Sequence, residues 1–347
     1  ALLDEPLIPP ASQLNAFCHT LQERTERQVA RVLDFFARKR WDLFFVQLEA
    51  LDYVQHFLWR YSDPGDPLYP GKNEHANRIL DFYRFFDRIV GRFRSAIDGE
   101  YMLGVVSSHG HERRCIYHLH INEWLREQGF LQPWHPTRAI LRRSEDQQPR
   151  PILRDLRLYL AQLLPWRGRL SGLRHSIDQL HSVAQMVELA GSSSSYGGIS
   201  INRELLKRQG RDYELVCETI VTGLEQLCLK DSPVVNWVKR REQCYQGKYL
   251  HAYPDILFEL RSDLGVGRNI YTPLVLPDST HRLISGTHSS HGVFLLANWP
   301  TELEPYQDFE SPSVIDVAPT LLCLSGVAYG ALDGQALVHP HPIRQLI

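Results

Sequence analysis

The chain has 347 residues, a formal net charge of −2, and 43% hydrophobic against 22% charged residues. That balance is ordinary for a soluble globular protein, and it gives no field that would draw long nucleic acid or an anionic membrane. No apolar run approaches the roughly 18 residues of a membrane span, and the length suits one large or two modest domains.

The start at Ala1, without Met and in Pro-rich text (EPLIPPAS), reads as a processed protein or the later part of a longer one. The sequence given shows no positively charged start with an apolar run. Residues 12–40 have helical spacing, with Leu14, Phe17, Leu21, Val29, Val32, Leu33 and Phe36 on one face and Ser12 as the N-cap. WDLFFVQLEA (41–50) reads as a strand apolar enough for burial on both sides. A second helix spans 74–97, YMLGVVSS (101–108) is a second buried strand, and NEWLREQGFL is a short helix ending at Gly129. This alternation predicts an α/β fold with a mainly parallel sheet flanked by helices.

The text changes near Pro133. Residues 133–175 are rich in Arg, Pro and Gln, with an amphipathic piece at ILRDLRLYLAQLL. A serine-rich loop with Tyr196, Gly197 and Gly198 as a turn precedes the strand ISIN, a helix spans 211–228, and VVNWVKRREQCY reads as a strand. We therefore divide the chain into a first core part at 1–132, an inserted cap at 133–250 and a second core part at 251–347. That last part holds the strands YPDILFEL and GVFLLANW and a helix in VIDVAPTLLCLSGV. The six cysteines form no C-x-x-C pair and read as reduced and mostly buried, which suits a cytoplasmic protein.

Three strand-end loops carry histidines. In LEALDYVQHFLW, Asp52 and His56 are four apart and share one face if the segment is helical. SSHGH offers His109 and His111 around Gly110, and SGTHSSHG offers His288 and His291. Each alone matches a plain surface or strand-end histidine. Together they point to a divalent-metal site, because ligands in open α/β sheets collect beyond the strands' carboxyl ends. His118 and His120 alternate as if decorating a strand face, and HPHP near the C-terminus reads as a solvated tail. P-loop, G-x-G-x-x-G, G-x-S-x-G and H-E-x-x-H motifs are absent.

These stretches, in this order, resemble the alkaline phosphatase superfamily, and within it the type I phosphodiesterase/nucleotide pyrophosphatase branch. LDYVQHFLW resembles its Asp-x-x-x-His segment, VVSSHGH its Ser-Asp-His-Gly segment and GTHSSHG its late Gly-x-His loop. INEWLREQGFL, GGISIN, YPDIL and VIDVAPTLLCLSGV…LDGQAL also fall where the branch places similar text. The resemblance implies an alkaline-phosphatase-like fold and cleavage of a phosphodiester or nucleotide-like small molecule by in-line displacement at two metals about 4 Å apart. It assigns Asp52, His56 and His288 to a first metal, zinc or else manganese, and His109 to the second.

The sequence departs from that pattern at Ser108, where the branch has an aspartate; a hydroxyl is a poorer ligand for such a dication than a carboxylate. Nor does the text before Asp52 offer a strand ending in Asp-Gly or a nucleophilic Thr. The chain reads as part of a longer enzyme, as a degenerate relative holding one metal or none, or as a likeness of fold alone with the function in the cap. Ser108 weighs against full activity in each case. The expected function is a metal-dependent phosphodiesterase/pyrophosphatase-type hydrolase impaired in this chain, or a non-catalytic binder of a phosphorylated ligand or protein partner.

Overall fold

The computed structural model describes residues 9–134, 177–189, 195–299 and 312–337. Helices α1 (Leu14–Phe36), α2 (Ala50–Ser62) and α3 (Arg78–Ser95) come first. Strands β1 (Tyr101–Val106), β2 (Gly110–Arg113) and β3 (Tyr117–His120) follow, then α4 (Ile121–Glu127). Next are β4 (Ala184–Glu188), β5 (Tyr196–Ile201) and the helices Arg203–Gln209 and Tyr213–Glu225. The ribbon β6 (Cys228–Leu229) and β7 (Ser232–Pro233) leads to β8 (Val235–Arg240), β9 (Ile256–Leu260), β10 (Leu264–Gly267) and β11 (Val275–Pro277). β12 (Gly286–Ser289), β13 (Phe294–Trp299) and the helix Val317–Leu324 complete the order.

The chain divides into two compact units: Ala1–Arg113 with Leu283–Ile347, and Arg114–Arg282. These boundaries differ from those drawn at 132/133 and 250/251. β5 and β8, from the stretch read as a cap, pair on either side of β9. The amphipathic piece at 152–164 and the HPHP tail lie outside the described residues.

In the first unit, α1 buries Leu14, Cys18, Leu21, Thr25 and Val29, a stripe recurring every three or four residues. It packs with Val54, Phe57 and Leu58 of α2 and Phe82, Phe85 and Ile89 of α3. Full burial of side chains such as Leu58 and Phe82 contributes about 1.5–3 kcal/mol each. Residues 41–49, read as a strand, form none, and Leu43 and Phe45 are exposed. Trp41 and Phe44 instead pack on Phe35 and Phe36 at the end of α1. An apolar run becomes a strand only with a hydrogen-bonded neighbour, and no described segment pairs with this one.

The expected mainly parallel sheet is likewise not what the described strands form. The fold is mixed α/β, but the sheets are small, and among the described residues only β10 and β3 pair in parallel. β1 pairs antiparallel with β13, and its Met102 and Val105 are exposed. Its apolar run was therefore not a mark of burial on two faces.

The second unit has the sheets β4-β5-β9-β8 and β10-β3-β11, with a core that includes Leu119, Trp124, Ile199, Ile220 and Phe258. Tyr196, Gly197 and Gly198 lie within β5 and are not a turn. A Cβ on Gly197 would sit 2.9 Å from a Phe258 ring carbon, so the glycine serves close packing. The helix expected at 211–228 runs from Tyr213 to Glu225, and the Asp212 carboxylate accepts from Leu215 N–H at its start. None of the six cysteines is in a disulfide; Cys18, Cys115 and Cys217 are buried, whereas Cys228 is exposed. No described helix is long and apolar enough to cross a membrane.

Candidate metal centre

α2 starts at Ala50, which puts Asp52 in its first turn and His56 one turn later on the same face. A carboxylate suits the positive end of the helix dipole. The backbone entering β12 lies directly on this helix. Ser285 N–H donates to the His56 carbonyl at 2.9 Å, and Arg60 N–H donates to Ser285 Oγ at 3.0 Å. A Cβ on Gly286 would stand 2.9 Å from the Gln55 carbonyl carbon and 3.2 Å from His56 Cα, so glycine is what permits the approach. β12 pairs antiparallel with β2, and the register sets His288 opposite His111. One helix start and one two-stranded ribbon thus supply four donors to one point.

The donors converge on Asp52 Oδ1. His111 Nε2 lies 3.1 Å from it, His288 Nε2 3.2 Å and His56 Nε2 3.5 Å, while His56 and His288 Nε2 are 3.0 Å apart. Four ligands about 2.0–2.1 Å from a tetrahedral zinc stand about 3.3 Å from one another, so these four separations are close to edges of a zinc-sized tetrahedron, and all four ligand atoms lie within 4.8 Å of one another. Asp52 Oδ1 and His111 Nε2 are also both shut away from solvent, facing each other at 3.1 Å. Asp52, His56, His111 and His288 form a group whose ligand atoms could hold one metal ion. The group opens to solvent at His288, whose side chain is half exposed, whereas that of His111 is buried.

The protonation states favour coordination. Burial pushes the Asp52 carboxyl up, but the imidazoles of His111, His288 and His56 outweigh it and hold the acid well below its ordinary range. Burial pulls His56 below the ordinary imidazole value against the opposing pull of the Gly286 carbonyl and Asp52. An ionised carboxylate and neutral imidazoles are the forms that bind a dication. The Gly286 carbonyl lies 3.0 Å from His56 Nδ1; by accepting the Nδ1 proton it leaves Nε2 as a bare lone pair. The Gln55 amide serves His111, with its Nε2 3.1 Å from His111 Nδ1 and its Oε1 3.1 Å from the Tyr83 hydroxyl. A half-turn of that amide exchanges its oxygen and nitrogen. Oε1 then accepts the Nδ1 proton, Nε2 donates to the Tyr83 oxygen, and His111 Nε2 is free to coordinate.

Of the residues singled out in the sequence, Asp52, His56 and His288 are brought together. His109 stands outside the group. Its ring stacks on His288 at 3.5 Å between centroids and 15° between planes, and its Nδ1 lies 3.1 Å from the Gly110 carbonyl. Burial pulls its pKa down. Ser108 and His291 are exposed. Sequence reasoning left His111 unassigned, because the His-x-His spacing does not say which imidazole turns inward. The β2–β12 register does.

A helix start and a strand pair thus present one carboxylate and three imidazoles that could hold a divalent metal, on a unit of mixed α/β class. The particular family is shown by the sequence: the profile described as type I phosphodiesterase/nucleotide pyrophosphatase matches residues 12–291, and the chain belongs to that family. Members of this group are metal-dependent hydrolases of phosphoester small molecules. No curated protein matches the chain. Among solved structures it is similar to phosphonoacetate hydrolase from Sinorhizobium meliloti 1021 in complex with phosphonoacetate, at 14% identity and a TM-score of 0.35, covering 76% of this chain and 46% of that one. The same enzyme in complex with phosphonoformate matches at 13% identity and 0.34, with the same coverage. Likeness at that level carries no argument about this chain's site, and less than half of the hydrolase's length is spanned.

Proposed function

We propose that the chain holds one divalent metal at Asp52, His56, His111 and His288, and that it is a phosphodiesterase/nucleotide pyrophosphatase relative with weak or no turnover. The observation that carries this reading is the convergence of three imidazole nitrogens on the buried Asp52 Oδ1 at 3.1–3.5 Å. Three nitrogens and one oxygen suit zinc, with manganese the second choice. A zinc ion bound there would supply Lewis-acid and water-activating chemistry.

The chain's own residues argue against using that chemistry for hydrolysis. Catalytic zinc sites keep one position for water or substrate, whereas four protein ligands fill a tetrahedron. His111 fills the position that the other three would leave open. The second metal expected from the resemblance has only His109, which stacks on His288, and Ser108 in place of a carboxylate. The reading favoured by this closed donor set is a non-catalytic protein that binds a phosphodiester or nucleotide-like ligand beside a structural metal. The free thiols support a cytoplasmic setting.

The test is zinc content of purified wild type and His288→Ala, with turnover of bis(p-nitrophenyl) phosphate. Loss of one zinc equivalent in the variant, and turnover near background in both proteins, is the expected result. Equal zinc in both refutes the metal centre, and brisk turnover abolished by His109→Ala refutes the impaired reading.

A further inference from the structure

A different set of donors gathers in the unit Arg114–Arg282. β3 lies between β10 and β11. Cys115 precedes β3, His118 is within it, and Asp278 directly follows β11, where its N–H donates to the Ile116 carbonyl at 2.8 Å. One ligand atom from each residue lies within 4.8 Å of the other two, and His118 Nε2 is 3.7 Å from Asp278 Oδ2. Gly265 of β10 stands opposite His118 in the register. A Cβ there would meet Cys115 Sγ at 2.5 Å and His118 Cδ2 at 2.9 Å, so the absence of a side chain at 265 lets thiol and imidazole share the space. Cys115 and Asp278 are buried, and His118 is partly exposed.

We propose that Cys115, His118 and Asp278 form a second metal-binding site, for zinc or a similar borderline cation. A thiolate, an imidazole and a carboxylate are the donor types zinc takes, and three protein donors leave a fourth position, reached from the His118 side. Imidazole nitrogen and carboxylate oxygen on a tetrahedral zinc stand about 3.3 Å apart, so the observed 3.7 Å closes with a shift of about 0.4 Å. As the metal enters, the sulfur–metal bond forms and the thiol proton leaves to solvent. Outer partners for the carboxylate are in place: Arg114 Nε donates to Asp278 Oδ2 at 3.0 Å and Thr280 N–H to Oδ1 at 2.8 Å. Such contacts orient a ligating carboxylate. Without metal the same contacts amount to a buried ion pair, and the experiment separates the two cases.

Cobalt(II) is the probe, because a thiolate on cobalt gives a charge-transfer band that carboxylate and imidazole do not. The full chain titrated with cobalt should show this band. It should persist in His288→Ala and vanish in Cys115→Ser, and His118→Gln should weaken the cobalt affinity read from it by more than the roughly tenfold that even an outer partner is worth. No thiolate band at saturating cobalt, or a band unchanged in Cys115→Ser, overturns the proposal. If Cys115→Ser fails to fold, the partly exposed His118→Gln decides: unchanged affinity overturns it, and loss of the band supports it.

Discussion

Replacing His111 with alanine separates a closed centre from an open one. Loss of an outer-shell partner costs about 10–100-fold in metal affinity, so loss of a direct donor should cost at least the upper end, about 100-fold or about 2.7 kcal/mol. The effect can be read as stability. At free zinc a hundredfold above the wild-type dissociation constant, binding adds about 2.7 kcal/mol to the folded state; a variant bound 100-fold more weakly gains only about 0.4 kcal/mol at the same zinc. One kcal/mol moves the midpoint of a unit this size by about 2–4 °C. Zinc should therefore raise the wild-type midpoint by about 5–11 °C and the variant's by about 1–2 °C. The assay is thermal unfolding with and without zinc in a Cys115→Ser background, which leaves the unit Arg114–Arg282 with an incomplete donor set. A full zinc shift in His111→Ala, with the shift lost in His56→Ala, would refute the argument: the site would be the three-donor, open one that the resemblance assigns.

Three further outcomes follow from named contacts. Gln55→Leu removes the amide beside His111 Nδ1 and should lower zinc affinity by about 10–100-fold, measured by competition with a chromophoric chelator. Gly286→Val drives a side chain into the α2 backbone at Gln55 and His56; it should cost about 1–3 kcal/mol in urea unfolding and weaken zinc binding together. Asp255→Ala leaves Arg241 and Arg203 without the buried carboxylate they flank at 3.4 and 3.0 Å. It should destabilise the second unit by about 3–5 kcal/mol in the same assay and leave zinc bound at Asp52, His56, His111 and His288 unchanged.

Helices were the legible part of this fold. The stripe Leu14, Leu21 and Val29 fixes a helix that the structure shares, although Ser12, expected to cap it, lies in a short 3-10 turn and Gln13 precedes α1 without a side-chain cap bond. Strands were read less well, since apolar runs name neither the partner nor its direction. WDLFFVQLEA has the composition of a strand and lacks a neighbour, and YMLGVV has a neighbour, but an antiparallel one. Asp52 and His56 were legible because i, i+4 on a helix is a local relation. SGTHSSHG offers His288 beside His291, and the family likeness chooses between them; SSHGH offers His111 beside His109, but the choice of His111 depends on a register between residues 177 apart in the chain. Cys115, His118 and Asp278 were hidden for the same reason. In sequence His118 reads as strand decoration, and nothing local links it to a carboxylate 160 residues away.

The measurement that bears most directly on the central claim is X-ray absorption at the zinc edge of Cys115→Ser protein reconstituted with one equivalent of zinc. The account predicts four nitrogen or oxygen neighbours at about 2.0–2.1 Å, at least three of them imidazoles by their outer-ring scattering, with one imidazole fewer in His111→Ala. A shell with two imidazoles and water, unchanged by His111→Ala, would contradict it.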